Sequence, residues 1–218
     1  MGLFIVFEGI EGCGKTTQID LFSNYLKQHH VPVTVTREPG GTPIGEEIRR
    51  LFLKTDHRGM LPITELALIT AARAQHLADI IEPALSAERV VVCDRFYCAT
   101  LAYQGYAGGL DCELIQKTHE LFCKGIQPDV TVLLDCPTAV GLSRSRARNK
   151  ADGTHAIEGR FEDKEFSFHE RVRQGYLTIA GEFPQRFIVI DATQSIDAVH
   201  RSICTALTPK LRESGYAV

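Results

Sequence analysis

The chain of 218 residues has no tryptophan, two methionines, and no apolar run near the ~20 residues of a bilayer crossing. That argues against a membrane helix. Its first residues, MGLFIVFEGI, carry no basic segment ahead of a long apolar stretch, so no secretory signal is expected. None of the seven cysteines is spaced C-x-x-C, and their number is odd. Both facts argue for reduced thiols, many of them small core hydrophobes. Charge of one sign is also missing. Lys+Arg number 24 and Asp+Glu 27, a formal net charge of −3, which excludes a general electrostatic grip on nucleic acid or an anionic membrane. A cytoplasmic protein is the expectation.

What is present is an ordinary globular composition, 44% hydrophobic and 23% charged, without repeats, low-complexity linkers or compositional breaks. One domain spanning 1–218 is expected. Apolar, β-branched runs at 3–8, 31–37, 89–94, 129–135 and 186–191 read as strands, and most are nearly continuous in hydrophobicity, as strands buried on both faces are. Helical patterns lie between them at 15–29, 44–54, 64–86, 111–123, 138–148, 163–181 and 195–208. This alternation predicts an α/β fold with a five-stranded parallel sheet flanked by helices on both faces. The segment 144–165, RSRARNKADGTHAIEGRFEDKE, breaks the pattern. It is polar and rich in arginine and glycine, and reads as a mobile lid carrying cations.

After the first strand, Gly9-Ile10-Glu11-Gly12-Cys13-Gly14-Lys15-Thr16 matches G-x-x-x-x-G-K-[ST] and opens a helix. Glycines let backbone N–H groups converge on phosphate oxygens, and the helix N-terminus adds partial positive charge. Lys15 is expected to reach the β- and γ-phosphates of a nucleoside triphosphate, and the Thr16 hydroxyl to help hold Mg²⁺. Gly9 through Thr17 form the candidate ATP cradle. Cys13 lies beside Lys15 at the helix start, where a thiol is expected to be acidic and open to alkylation.

Asp56-His57-Arg58-Gly59 and Asn149-Lys150-Ala151-Asp152 fit the D-x-x-G and N-K-x-D of a GTP-binding switch, but neither follows an apolar strand, so both read as coincidences. The third strand is more informative, because it ends in Asp94-Arg95. A carboxylate there can hold Mg²⁺, and the arginine can clamp a second phosphate. Arg37 follows the second strand and Arg73 lies in a helix running toward the third. Together these arginines point to an acceptor that is itself a phosphate. Such an acceptor is already ionised and needs positioning and charge cancellation rather than a general base. Arg144, Arg146, Arg148 and Arg160 of the lid can close over the transferring group and exclude water. The residues thus predict a nucleoside monophosphate kinase, with a deoxynucleoside kinase or a GTP switch as the weaker readings.

The motifs FEGIEGCGKTTQ, TREPGGT, AARAQH, DRFYCATLAYQG, PDVTVLLDCP and GRFE…FHERVRQGYL resemble the thymidylate kinase family along nearly the whole chain. The resemblance implies transfer of the γ-phosphoryl of ATP to dTMP with Mg²⁺, a homodimer, and small-molecule partners only. It implies that Asp94 and Arg95 bridge acceptor phosphate and metal, and that Arg37 and Arg73 meet the acceptor's phosphate and base. Thr100, Tyr103 and Gln104 fall where the family contacts thymine and screens the ribose, and the loop DATQS falls where adenine packs. Members with an acidic cradle place their catalytic arginines in the lid, so Glu11 is expected to face the acceptor rather than the ATP phosphates. Two departures stand out: Ile69 replaces a phenylalanine that stacks on thymine, and Ala99 replaces a common serine.

Overall fold

The computed structural model describes residues 2–57, 59–153 and 159–218. Five strands, β1 (Leu3–Glu8), β2 (Val33–Arg37), β3 (Val90–Asp94), β4 (Val130–Asp135) and β5 (Phe187–Asp191), form one parallel sheet in the order β2-β3-β1-β4-β5. The helices are α1 (Lys15–Gln28), α2 (Pro43–Leu53), α3 (Pro62–His76), α4 (Glu82–Ser86), α5 (Tyr97–Thr100), α6 (Cys112–Cys123), α7 (Thr138–Asp152), α8 (Phe166–Glu182) and α9 (Ile196–Glu213). Wider π turns at Leu77–Ile81 and Leu101–Ala107 join α3 to α4 and prolong α5. No helix among the described residues is long and apolar enough to cross a membrane.

Side chains of a strand alternate between its faces, and β1 is fully buried, so it feeds two cores. Leu3, Ile5 and Phe7 pack with Ile19, Phe22 and Leu26 of α1 and with Val199, Ile203 and Leu207 of α9. Phe4 and Val6 pack on the other face with Leu66, Leu77, Ile81 and Ile115. That two-sided burial, shared by β3 and β4, is why these strands read as continuous apolar runs.

Three expectations change. The lid is not a loop throughout: α7 extends past 148 to Asp152, so residues 144–152 are helical. Arginine, alanine and lysine favour helix, but past Leu142 the buried stripe of α7 is only Ser145 and Asn149, and leaves no hydrophobic signal for the last turn. Residues 154–158 of the lid, and Arg58 of the D-x-x-G match, lie outside the described residues. The helical stretch 97–107 was not expected, since most of its positions are buried and an all-round apolar helix has no amphipathic period. Finally, α9 continues to Glu213, through Pro209.

Candidate active site

The cradle joins the C-terminal end of β1 to α1. Gly12 adopts φ +70, and a Cβ there would stand 2.0 Å from the Gly141 carbonyl oxygen, so only glycine lets α7 lie this close to the loop. Gly141 is equally constrained, its Cβ position being 2.5 Å from Glu11 O. This glycine pair sets the arginine-bearing helix over the phosphate site. Lys15 is buried, its ammonium donating to the carbonyls of Gly9 and Ile10 at 3.0 Å each, and lies 3.6 Å from Cys13 Sγ.

A cleft of about 800 Å³ opens in front of the cradle. Its wall includes Glu11 through Gln18, Arg37, Arg73, Asp94, Arg95, Ile69, Thr100, Tyr103 and Gln104, so tertiary structure gathers residues spread over ninety positions of sequence. Gly9 and Ile10 are buried behind it. Cys13 lines the cleft but is 3% exposed, which runs against the expected easy alkylation.

Arg95 sits at φ +67, the left-handed region that non-glycine residues rarely occupy. Such strain persists only where surroundings over-determine it. Here its N–H extends the sheet by donating to Phe7 O at 2.9 Å, and its carbonyl accepts from Cys93 Sγ at 3.0 Å. The side chain thereby leaves the strand toward the cleft, where Nη1 donates to Tyr176 Oη at 2.9 Å and the guanidinium lies 5.0 Å from the Tyr103 ring centre. Tyr176 in turn donates to Glu8 Oε2 at 2.7 Å, and Glu8 Oε1 accepts the N–H groups of Phe96 and Ala99 at 2.9 and 3.1 Å. Burial pushes the Glu8 carboxyl above its ordinary 4.5, against the opposing pull of Arg95 and of these hydrogen bonds.

Glu11 turns away from the loop's N–H groups. Its Oε1 accepts from Tyr103 Oη at 2.6 Å and lies 3.6 Å from Arg95 Nη2, and its Oε2 lies 3.4 Å from His169 Nδ1. Burial raises the carboxyl's pKa, but His169 and the Arg95 charge outweigh it and hold the group far below the usual carboxylate range. Arg73 is buried, with Nε on Glu38 Oε2 at 2.7 Å and Nη2 on Phe96 O and Thr100 Oγ1 at 3.1 and 2.9 Å. Glu38 also accepts from or pairs with His76 Nδ1 at 3.0 Å. Arg37 is half exposed and forked against Glu46 at 2.9 and 3.3 Å.

The four lid arginines separate. Arg144 and Arg148, one helical turn apart, both line the cleft. Arg144 Nη1 donates to Ala192 O at 3.2 Å, in the DATQS loop, and Arg148 Nη2 donates to Ser145 Oγ at 3.1 Å. Arg146, two residues round the helix, is exposed and off the cleft wall. Arg160 is a correction: it is fully buried, ion-paired to Glu65 at 2.6 Å, sandwiched between the rings of Phe52 and Phe161, and not on the cleft wall. Its guanidinium replaces core packing rather than facing phosphate. Ile69 does line the cleft, and the rings of Phe52 and Phe161 line it as well.

Sequence reasoning missed several cleft residues. Arg49 lines the wall and donates to Pro39 O at 3.1 Å; its spacing to Phe52 and Leu53 on α2 was the available signal. Glu8, an acid ending a buried strand, was visible too, and lies behind the cleft wall rather than on it. Glu38 and Glu162 line the cleft too, while His169 and Tyr176 stand behind its wall against Glu11 and Arg95. All four lie inside the motifs TREPGGT, GRFE and FHERVRQGYL, but nothing in their spacing assigned them a role, because long-range packing brings them in.

Asp94 Oδ1 is buried and has no hydrogen-bond partner among the described residues, while Thr16 lies on the same cleft. No cluster of three or more acidic, histidine or cysteine ligands exists among the described residues. One carboxylate and one hydroxyl suit Mg²⁺, which prefers water and phosphate oxygens to an all-protein cage.

A phosphate cradle at the C-terminal edge of a parallel sheet, faced by a second set of arginines across one cleft and roofed by an arginine-bearing helix, defines the class of P-loop nucleoside monophosphate kinases. Comparison with known proteins narrows the class. The chain belongs to the thymidylate kinase family, whose profile matches residues 7–203. It is 50% identical over 214 residues to the thymidylate kinase of Geotalea uraniireducens, covering 98% of this chain and 100% of that one. It is 50% identical over 207 residues to that of Geobacter sulfurreducens, covering 95% and 97%. The crystal structure of thymidylate kinase from Ehrlichia chaffeensis superposes with a TM-score of 0.76 at 34% identity, covering 94% of this chain and 98% of that one.

Proposed function

We propose that this chain transfers the γ-phosphoryl group of ATP to dTMP, giving ADP and dTDP, with Mg²⁺ as the metal. The observation that carries this reading is the cleft in which the cradle and Lys15 oppose Arg37, Arg49, Arg73 and Arg95, beside a wall of Thr100, Tyr103 and Gln104. A nucleoside acceptor would need one base for its hydroxyl; four arginines suit an acceptor phosphate, already ionised at neutral pH.

In this reading an acceptor phosphate oxygen attacks the γ-phosphorus, its new P–O bond forming as the bond to the β,γ-bridging oxygen breaks and ADP leaves with the electron pair. Lys15 exchanges its two carbonyl partners for the β- and γ-phosphates. Arg95, braced by Tyr176 and Glu11, cancels repulsion between donor and acceptor phosphates. Arg148 is the lid cation best supported for the transferring group, because it lines the cleft and is 56% exposed. Arg144 reaches the adenine side through Ala192. Asp94 and Thr16 are the groups that would hold a divalent cation, which would supply positive charge to offset that of the ATP phosphates. Glu11, in contact with Tyr103 and Arg95, belongs to the acceptor side.

We read the working unit as a cytoplasmic homodimer. The exposed apolar residues Leu114, Leu121 and Phe122 of α6 support burial against a second copy. An acceptor panel tests the function: with ATP and Mg²⁺, dTMP is phosphorylated, dUMP more weakly, and dAMP, dGMP and dCMP poorly. Activity on thymidine but not on dTMP overturns the reading in favour of a deoxynucleoside kinase.

A further inference from the structure

Gln104 lines the cleft and is 1% exposed. Its Nε2 donates to Glu65 Oε2 at 2.8 Å, and Glu65 Oε1 accepts from Arg160 Nη1 at 2.6 Å. Arg160 is fixed by its Nε on Phe52 O and by ring faces 4.8 and 4.4 Å away. An arginine is always protonated, and a carboxylate paired to it can only accept hydrogen bonds. The Gln104 amide must therefore turn its NH₂ to Glu65. That leaves Oε1 on the other side, buried and without a partner among the described residues. A buried acceptor left unmade is costly, so the arrangement is complete only when something donates to it.

We propose that Glu65 and Arg160 are positioning residues for base selection: through Gln104 they hold a hydrogen-bond acceptor toward the acceptor's base. The donor that fits is the ring N–H at position 3 of an imide-type pyrimidine, thymine or uracil. Cytosine presents a lone pair at that position and meets Oε1 acceptor to acceptor. The pair also ties base selection to the C-terminal root of the lid, because Arg160 N donates to Leu53 O at 3.3 Å. This proposal rests on reading the cleft as the dTMP site.

The test compares kcat/KM for dTMP, dUMP and dCMP at saturating ATP in the full chain and two variants. Gln104→Met removes the amide but leaves the buried ion pair intact. Glu65→Gln offers Gln104 an N–H in place of an acceptor, freeing the amide to flip and point its own N–H at the base. A site built to bind a substrate N–H discriminates strongly against analogues lacking it, so both variants are expected to lower the dTMP:dCMP ratio at least tenfold, through a higher KM for dTMP, with dUMP tracking dTMP. Glu65→Gln is further expected to raise kcat/KM for dCMP itself, which a general loss of packing does not do. If Glu65→Gln does not fold, the paired replacement Glu65→Leu with Arg160→Met removes both charges at similar volume and is expected to lower the same ratio. A ratio within twofold of the parent in Gln104→Met overturns the proposal whether or not the other variants fold; so does an unchanged ratio in a folded Glu65 variant. A parent chain inactive on dTMP instead overturns the reading of the cleft.

Discussion

Replacing Arg160 by alanine separates a structural arginine from a catalytic one. Its side chain is 0% exposed and paired with a Glu65 side chain that is 7% exposed. Removing one partner of a buried pair leaves an uncompensated charge, at a cost of about 3–5 kcal/mol. For a chain of this size each kcal/mol lowers Tm by roughly 2–4 °C, so Tm should fall by about 6–20 °C. The lost ring contacts with Phe52 and Phe161 add to this rather than offset it. Arg148→Ala is the control: its side chain is 56% exposed and 3.8 Å from Glu162, a pair worth little to stability once solvent screening is counted. Its Tm should stay within about 2 °C of the parent while kcat falls by about 10³-fold or more, as for other cis arginines at a transferring phosphoryl group. Differential scanning calorimetry and steady-state kinetics read both. An Arg160→Ala protein with unchanged Tm and a collapsed kcat refutes the reasoning and returns Arg160 to the lid's catalytic set.

Glu11→Gln removes the charge that accepts from Tyr103 and faces Arg95; hydrogen bonds to charged groups contribute about 1.5–3 kcal/mol, so kcat/KM for dTMP should drop about 10–100-fold while KM for ATP changes little. The reverse split in the kinetics would place Glu11 on the ATP side. Asp94→Asn should raise the Mg²⁺ concentration for half-maximal activity by roughly 10–100-fold, measured by metal titration at fixed ATP; an unchanged titration removes Asp94 from the metal shell. Glu11 and Glu38 both titrate below their ordinary 4.5 in the folded chain: burial raises each, but His169 and Arg95 for the first, and Arg73 and His76 for the second, outweigh it. Their stabilisation is therefore present above pH 4.5 and is lost as pH falls through the lower folded values, so Tm should decline below pH 4.5. Glu8 has the opposite sign, because burial raises its carboxyl. Its contribution is full below pH 4.5 and is lost as pH rises through the higher folded value, so the Tm of Glu8→Gln relative to the parent should climb between pH 4 and 8. A flat difference across that range argues against a strained Glu8.

Much was legible from residue order alone. A cradle has to be continuous in sequence, because successive backbone N–H groups form it, and so Gly9 through Thr17 declared itself. β1, β3 and β4 were equally plain, since strands buried on both faces must be apolar at nearly every position; β2 and β5, at the sheet's edges, are only partly buried. Asp94-Arg95 could be read because a strand's end is a fixed place relative to its neighbours. The continuation of the 138–148 helix to Asp152 could not, for its buried stripe past Leu142 is Ser145 and Asn149, which resemble loop residues. Arg160 was indistinguishable in sequence from Arg148: both stand in one arginine-rich polar segment. Only packing separates them, because a guanidinium between Phe52 and Phe161 with Glu65 against it belongs to the interior, and one on an exposed helical turn belongs to the cleft. Glu11 shows the same division. Its presence in the cradle was a fact of sequence, but the direction of its carboxylate was decided by Tyr103, Arg95 and His169, which lie 84 to 158 positions away along the chain and meet it only when the sheet and its helices close.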